Sequence, residues 1–149
     1  MANNNAANVS AGKPKIGGAI FAAPVGTTLP TDTDTTLDNA FKNLGFVSDD
    51  GLTNSTDLET EEIKAWGGQT VLVIQKSKDD KYKFKLIEVK NVDVLKFVYG
   101  SDNVTGDLTT GIAITANSKE VETVSLVIDM ILSGNTAKRV VIPTCKISE

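Results

Sequence analysis

The sequence predicts a mainly β, antiparallel fold, and three observations carry the prediction. Between Val121 and Leu132, the apolar residues Val124, Leu126, Ile128, Met130 and Leu132 recur at every second position, so one face of a long strand is strongly apolar. Tyr82, Phe84 and Leu86 alternate in the same way with Lys83 and Lys85. Turn-forming clusters, among them Asp49-Asp50-Gly51, Lys78-Asp79-Asp80-Lys81 and Ser133-Gly134-Asn135-Thr136, separate these runs. Strands with one apolar face make a sheet that packs on another layer.

The 149 residues suit one domain with a sizeable core, and an aromatic content of 5% leaves that core mostly to Val, Ile and Leu. Lys and Arg number 15 against 19 Asp and Glu, a net charge of −4, which argues against a protein that grips nucleic acid by its phosphates. It leaves open a surface past which DNA slides. There is no histidine, which removes the commonest general base, proton shuttle and zinc ligand together. The single cysteine, Cys145, has no partner for an internal disulfide and no His to activate it, and reads as a buried or half-buried neutral thiol. Met1 to Ser10 has neither the basic start nor the apolar run of a signal peptide, and no window approaches the ~18 apolar residues of a membrane span. Synthesis and folding in a bacterial cytoplasm are the default.

Taken in order, Met1 to Lys15 is small and polar and reads as a flexible arm, with residues 16–149 as one β domain. Ala19 to Ala23 is a short apolar strand broken at Pro24 and Gly26. Thr35 or Thr36 caps a short helix with Leu37, Ala40, Phe41 and Leu44 on one face and Gly45 as its stop. Phe46 and Val47 resume an extended chain. Ser48 to Glu62 holds six acids, Asp49, Asp50, Asp57, Glu59, Glu61 and Glu62, and no base, so a loop over about 48–66 stays solvated unless a partner neutralises it. Paired carboxylates of this kind occur in glycoside hydrolases, but nothing marks one of these as buried. Trp66 reads as a core or interface anchor, and Gly67-Gly68 permits close backbone approach without the Lys and hydroxyl of a phosphate loop.

Val71 to Ile74 and Tyr82 to Val89 then form a hairpin about the turn at Lys78 to Lys81, its basic character set by six lysines between Lys76 and Lys90. This hairpin is simply solvated, or it is a nucleic-acid site, against which Asp79, Asp80 and Glu88 dilute the field and no stacking aromatic stands between the lysines on their own face, or it meets the acidic stretch of a second copy. Asn91 caps a helix from Val92 to Tyr99, with Val92, Leu95, Val98 and Tyr99 at helical spacing and Gly100 as its stop. The rest is a meander: a strand over Leu108 to Thr115, another over Val121 to Leu132, and a last one over Arg139 to Ile147. Asp129 stands on the less apolar face of its strand, where exposure to bulk water is the simple account.

The order of several pieces resembles the major tail tube proteins of long-tailed, non-contractile bacteriophages. The matching pieces are Ala19-Ile20-Phe21-Ala22-Ala23-Pro24, Gly26-Thr27-Thr28-Leu29-Pro30-Thr31-Asp32, Leu37-Asp38-Asn39-Ala40-Phe41, Leu44-Gly45-Phe46-Val47-Ser48-Asp49-Asp50-Gly51-Leu52 and Ile63-Lys64-Ala65-Trp66-Gly67-Gly68. The resemblance implies an antiparallel β-sandwich or barrel with one helix beside it, and six copies closing into rings that stack into a tube through which DNA passes. It implies an N-terminal arm that locks against a neighbour, and an acidic loop that reaches across the contact between rings. Asp49, Asp50, Asp57, Glu59, Glu61, Glu62, Trp66, Lys78, Lys81, Lys83 and Lys85 are then the candidate contacts between subunits, and Asp129 the candidate lumen-facing residue. The implied partners are other copies of the chain, a tape-measure protein, a tail terminator and a distal tail protein; no cofactor, metal or membrane is implied, and the place is the virion tail. Family members usually continue for at least another strand, and some carry an extra immunoglobulin-like domain, whereas this chain stops at Glu149: either the gene is short or a C-terminal part is cut away, and in the second case a sheet edge is left unfilled. A tube subunit of a phage-derived bacteriocin or gene-transfer particle fits the same residues. A monomeric β-sandwich binding module is the reading from another class, and Trp66 would be its platform. An enzyme would have to work with carboxylates alone.

Overall fold

The computed structural model describes residues 3–148; the first residues of the N-terminal arm, Met1 and Ala2, lie outside the described part, as does Glu149. Among the described residues nine strands and one α-helix follow in order: β1 (Lys13–Pro14), β2 (Ile20–Pro24), β3 (Lys42–Asn43), β4 (Thr53–Lys64), β5 (Thr70–Lys83), α1 (Val92–Tyr99), β6 (Val104–Asp107), β7 (Gly111–Ile114), β8 (Val124–Ile131) and β9 (Ala137–Cys145). Every strand pairing is antiparallel, and the fold is mainly β, as expected. None of the sheets closes into a barrel among the described residues. The chain divides into two compact units, one built from the residues up to Phe46 and from Leu86 onward, the other from Val47–Lys85.

In the first unit a five-stranded sheet is built on β8, which pairs with β9 along one side and with β2 and then β1 along the other, while β3 pairs with β2. Sequence alternation predicted one buried face for β8. Ser125 to Asp129 are all buried, because a central strand is covered on both faces. On one face Ala23, Phe41 and Val127 form a cluster with Phe21, Leu29, Leu37, Ala40 and Val141 packed against it. Ile20, Leu44, Val127 and Ile128 are among the most completely buried side chains, each contributing roughly 1.5–3 kcal/mol of transfer free energy.

The expected helix between Thr35 and Leu44 does not form. Asp32 Oδ1 accepts from the Asp34 N–H (3.0 Å), the Thr35 N–H (2.6 Å) and the Thr35 hydroxyl (2.6 Å), and Asp38 Oδ1 accepts from the Ala40 N–H (2.9 Å). Such local bonds compete with a helical ladder. The apolar positions still point inward, Phe41 and Leu44 fully, but from turns and the short strand β3. Helix α1 forms as predicted: Asn91 Oδ1 accepts the Asp93 N–H at 3.1 Å, and Gly100, at φ 94°, ends it with its N–H on the Lys96 carbonyl. Its buried residue is Val94, whereas Val98 and Tyr99 are exposed, so the buried stripe is rotated from the expected one. The strand expected over Leu108 to Thr115 is a hairpin of β6 and β7 instead, because Asp107 Oδ1 captures the Thr109 and Thr110 N–H groups at 2.8 Å each and turns the chain there.

Along β8 the N-terminal segment runs as one strand with a large bulge. Pro14 pairs with Met130 and Ile20 with Ile128, so the five residues Lys15–Ala19 face only Asp129, whose carbonyl accepts from Lys15 N and whose N–H donates to Ala19 O. Lys13 and Pro14, at the end of the arm, thus pair with β8 of their own chain. Ile16 projects from this bulge, almost wholly exposed.

Candidate functional site

The second unit is a single long hairpin, paired from Thr53 opposite Lys83 to Lys64 opposite Thr70, with register shifts between Glu59 and Thr60 and between Ile63 and Lys64. Its placement corrects two expectations at once. The acidic stretch is strand β4, not a loop over 48–66, and Lys78 to Lys81 lie inside β5, not in a turn. The turn is at Ala65 to Gly68, closed by the Gly68 N–H on the Ala65 carbonyl at 3.0 Å, with Gly67 at φ 106° and Gly68 at φ 89°. Successive positive φ values favour glycine, and Gly67-Gly68 supplies both.

All the predicted contact residues therefore belong to one element or its root, whereas Asp129, the candidate lumen-facing residue, lies in β8. Asp49 and Asp50 occupy an exposed turn, closed by the Gly51 N–H on Ser48 O at 3.0 Å; Asp57, Glu59, Glu61 and Glu62 project from β4; Lys78, Lys81 and Lys83 project from β5; and Lys85 lies just beyond it, all exposed. Acidic and basic stretches meet within the chain. Lys81 reaches Asp57 at 3.0 Å and Lys76 reaches Glu61 at 3.5 Å, both across the diagonal of the ladder, and the Thr56 hydroxyl donates to Asp80 at 2.5 Å. Lys81 thereby offsets the like-charge pairing of Asp57 with Asp79 directly opposite. All of these pairs are exposed, and each is worth ~0–1 kcal/mol.

What the sequence reading missed is the apolar surface of the hairpin. Val71, Leu72, Val73 and Ile74 form an unbroken apolar run of the kind found in strands buried on both faces, yet all four are exposed, as are Leu58 and Ile63. Trp66 at the tip is 106% exposed, so it anchors no core in its own chain.

A family model described as phage tail tube protein matches residues 1–149. The chain belongs to the phage tail tube protein family. No curated protein and no solved structure gives a significant match. Family membership makes this a structural component of the virion tail and not an enzyme, one whose copies assemble into a tube with other tail proteins. No helix among the described residues is long and apolar enough to cross a membrane.

Asp129 needs the firmest correction. It is 5% exposed, and its carboxylate accepts from Arg139 Nε at 2.6 Å and Nη2 at 3.0 Å, so it presents no charge to water or to a lumen. The same guanidinium donates through Nη1 to the carbonyls of Asp32 (2.9 Å) and Thr35 (2.8 Å), tying the 32–35 turn to β9. The bond to Asp129 raises the Arg139 pKa further, against the opposing effect of burial. The role is internal support for a tube subunit. Cys145 is half-buried, its thiol donating to the Val124 carbonyl at 3.4 Å and pushed up in pKa by burial, consistent with an inert neutral thiol.

Proposed function

We propose that copies of this chain close into hexameric rings by joining sheet edges, that the rings stack into the tail tube, and that DNA leaves the capsid through the lumen. The observation that carries the reading is the hairpin Thr53–Lys83. A two-stranded ribbon is marginal in water at best, and this one exposes Leu58 and Val71 to Ile74 besides. Such an element is stabilised by a cover, and in a self-assembling family the cover at hand is another copy. Strand β9 supports the edge-joining part, because its pairing is with β8 on one side and its outer edge offers backbone donors and acceptors. The six-fold number, and contacts with a tape-measure protein, tail terminator and distal tail protein, follow from family resemblance. Exposed acids such as Glu59 and Glu62 suit a surface from which DNA phosphate is repelled within about a Debye length, ~8–10 Å.

Because many ion pairs are already made within the hairpin, assembly in this reading depends more on its apolar run than on salt bridges between subunits. Negative-stain electron microscopy and light scattering of the purified protein at high and low concentration test it. Rings or hollow tubes are expected, with Val73→Asp abolishing them while the sheet unit melts as before. A monomer at every concentration would overturn the reading.

A further inference from the structure

We propose that Trp66 at the hairpin tip of one copy seats in a hollow formed by Ile87, Val89 and Leu108 of a second copy, with the Glu88 carboxylate as its polar end. This rests on the assembly reading above and names the receptor for its most exposed side chain.

The donor side is built for insertion. Trp66 follows Ala65 in a tight turn and precedes two glycines, and a Cβ placed on either glycine would meet nothing within 4 Å, so nothing on that side of the turn shields the indole. The receiving side is a shallow, open hollow of about 590 Å³ whose apolar walls are themselves exposed: Ile87 at 50%, Val89 at 74% and Leu108 at 68%. Glu88 lies in the same lining, held by bonds from the Phe46 N–H at 3.0 Å and Asn91 Nδ2 at 3.1 Å, with acceptor capacity left over. An indole is an apolar body with one N–H donor, and the hollow offers apolar walls with one fixed acceptor. Lys90 and Asn91 complete the lining, and Lys90 balances the charge of Glu88, so the match rests on apolar walls and a single acceptor and not on net charge.

Chain geometry decides whose hollow is filled. The 12 residues of β4 span roughly 40 Å at about 3.3 Å per residue, and the hollow begins at Ile87, two residues past Lys85 at the root. With the ladder paired from end to end, Trp66 cannot fold back to its own root. A contact of tip with root is heterologous and leaves a free tip and a free hollow at the two ends, so it propagates instead of closing as a pair. One Trp supplies roughly 150–250 Å² of the ~800 Å² per partner in a stable interface, so the seat sets register for a longer contact along the hairpin and does not hold two isolated copies together.

Trp66 is the one tryptophan of the chain, so its fluorescence reports the seat directly. In the full chain with Cys145→Ser, Ala65→Cys and Lys90→Cys, which keeps the indole, mild oxidation of assembled protein is expected to give a ladder of disulfide-linked multimers, absent from either single-cysteine variant. Emission should shift to the blue on assembly, and Leu108→Asp should raise the concentration for half-assembly about tenfold or more, as loss of a central anchor does. Tubes in micrographs with no ladder, or with water-exposed emission, would overturn the seat and leave the tube reading standing. Absence of any assembly by the unaltered chain would overturn both.

Discussion

Strand β8 and the β4–β5 hairpin use the same antiparallel hydrogen bonding and are opposites in what covers them. β8 has a partner on each side and buries every residue from Ser125 to Asp129; the hairpin pairs 12 residues of one strand with 14 of the other and buries none. Backbone pairing is common to both and so does not explain where stability resides; side-chain burial does. The sheet around β8 is finished within one chain, whereas the hairpin is an element whose packing is completed elsewhere.

Breaking the polar centre of the sheet should have the largest effect. Arg139→Ala leaves the Asp129 carboxylate buried without its cation, and a loss of ~3–5 kcal/mol is expected in urea unfolding of the monomer. Replacing both residues by apolar ones should recover much of that, because the stranded charge is then gone. A matched pair of truncations tests the comparison itself. Ile128→Ala in β8 should cost roughly 2–5 kcal/mol, and Leu58→Ala in the hairpin no more than ~0.5 kcal/mol in the monomer. Removing the helix cap with Asn91→Ala should cost ~1 kcal/mol, read as a lowered Tm.

The smallest effect is a pH dependence. Hydrogen bonds from the Thr35 hydroxyl and N–H, with a smaller contribution from Asp34, hold the exposed Asp32 carboxyl below its ordinary value of 3.8. A folded pKa below the unfolded one gives stabilisation that is present above pH 3.8 and lost as pH falls through the lower folded value. Asp32→Asn should therefore lower the neutral plateau slightly and flatten the acid limb, so that the curves of variant and parent converge as pH falls below that value, as followed by circular dichroism.

How much of this was legible in the sequence follows the same division. Where alternation reflected burial, as in β2, β8 and β9, strands were readable to within a few residues, and the Asn91 and Gly100 caps located α1. Where burial was absent the reading failed: Thr53 to Lys64 shows no apolar face because neither face is covered, so a 12-residue strand looked like a loop and the hairpin turn was placed at four charged residues instead of at Gly67-Gly68. The missing helix after Thr35 was decided by Asp32, Asp38 and the distant Arg139, and periodicity cannot register a partner more than a hundred positions away. Asp129 was misjudged for the same reason, since its cation lies on the neighbouring strand.

The bulge opposite Asp129 bears on how the subunit tolerates change. Both backbone groups of Asp129 are engaged, one by Lys15 and one by Ala19, so the register on either side is fixed independently of what lies between. Extra residues at Ile16–Gly17 lengthen a loop already closed at both ends, and each doubling of its length costs only ~0.6 kcal/mol of closure entropy. The bulge is thus a natural graft point, where a foreign peptide can be carried on the subunit without shifting a single strand.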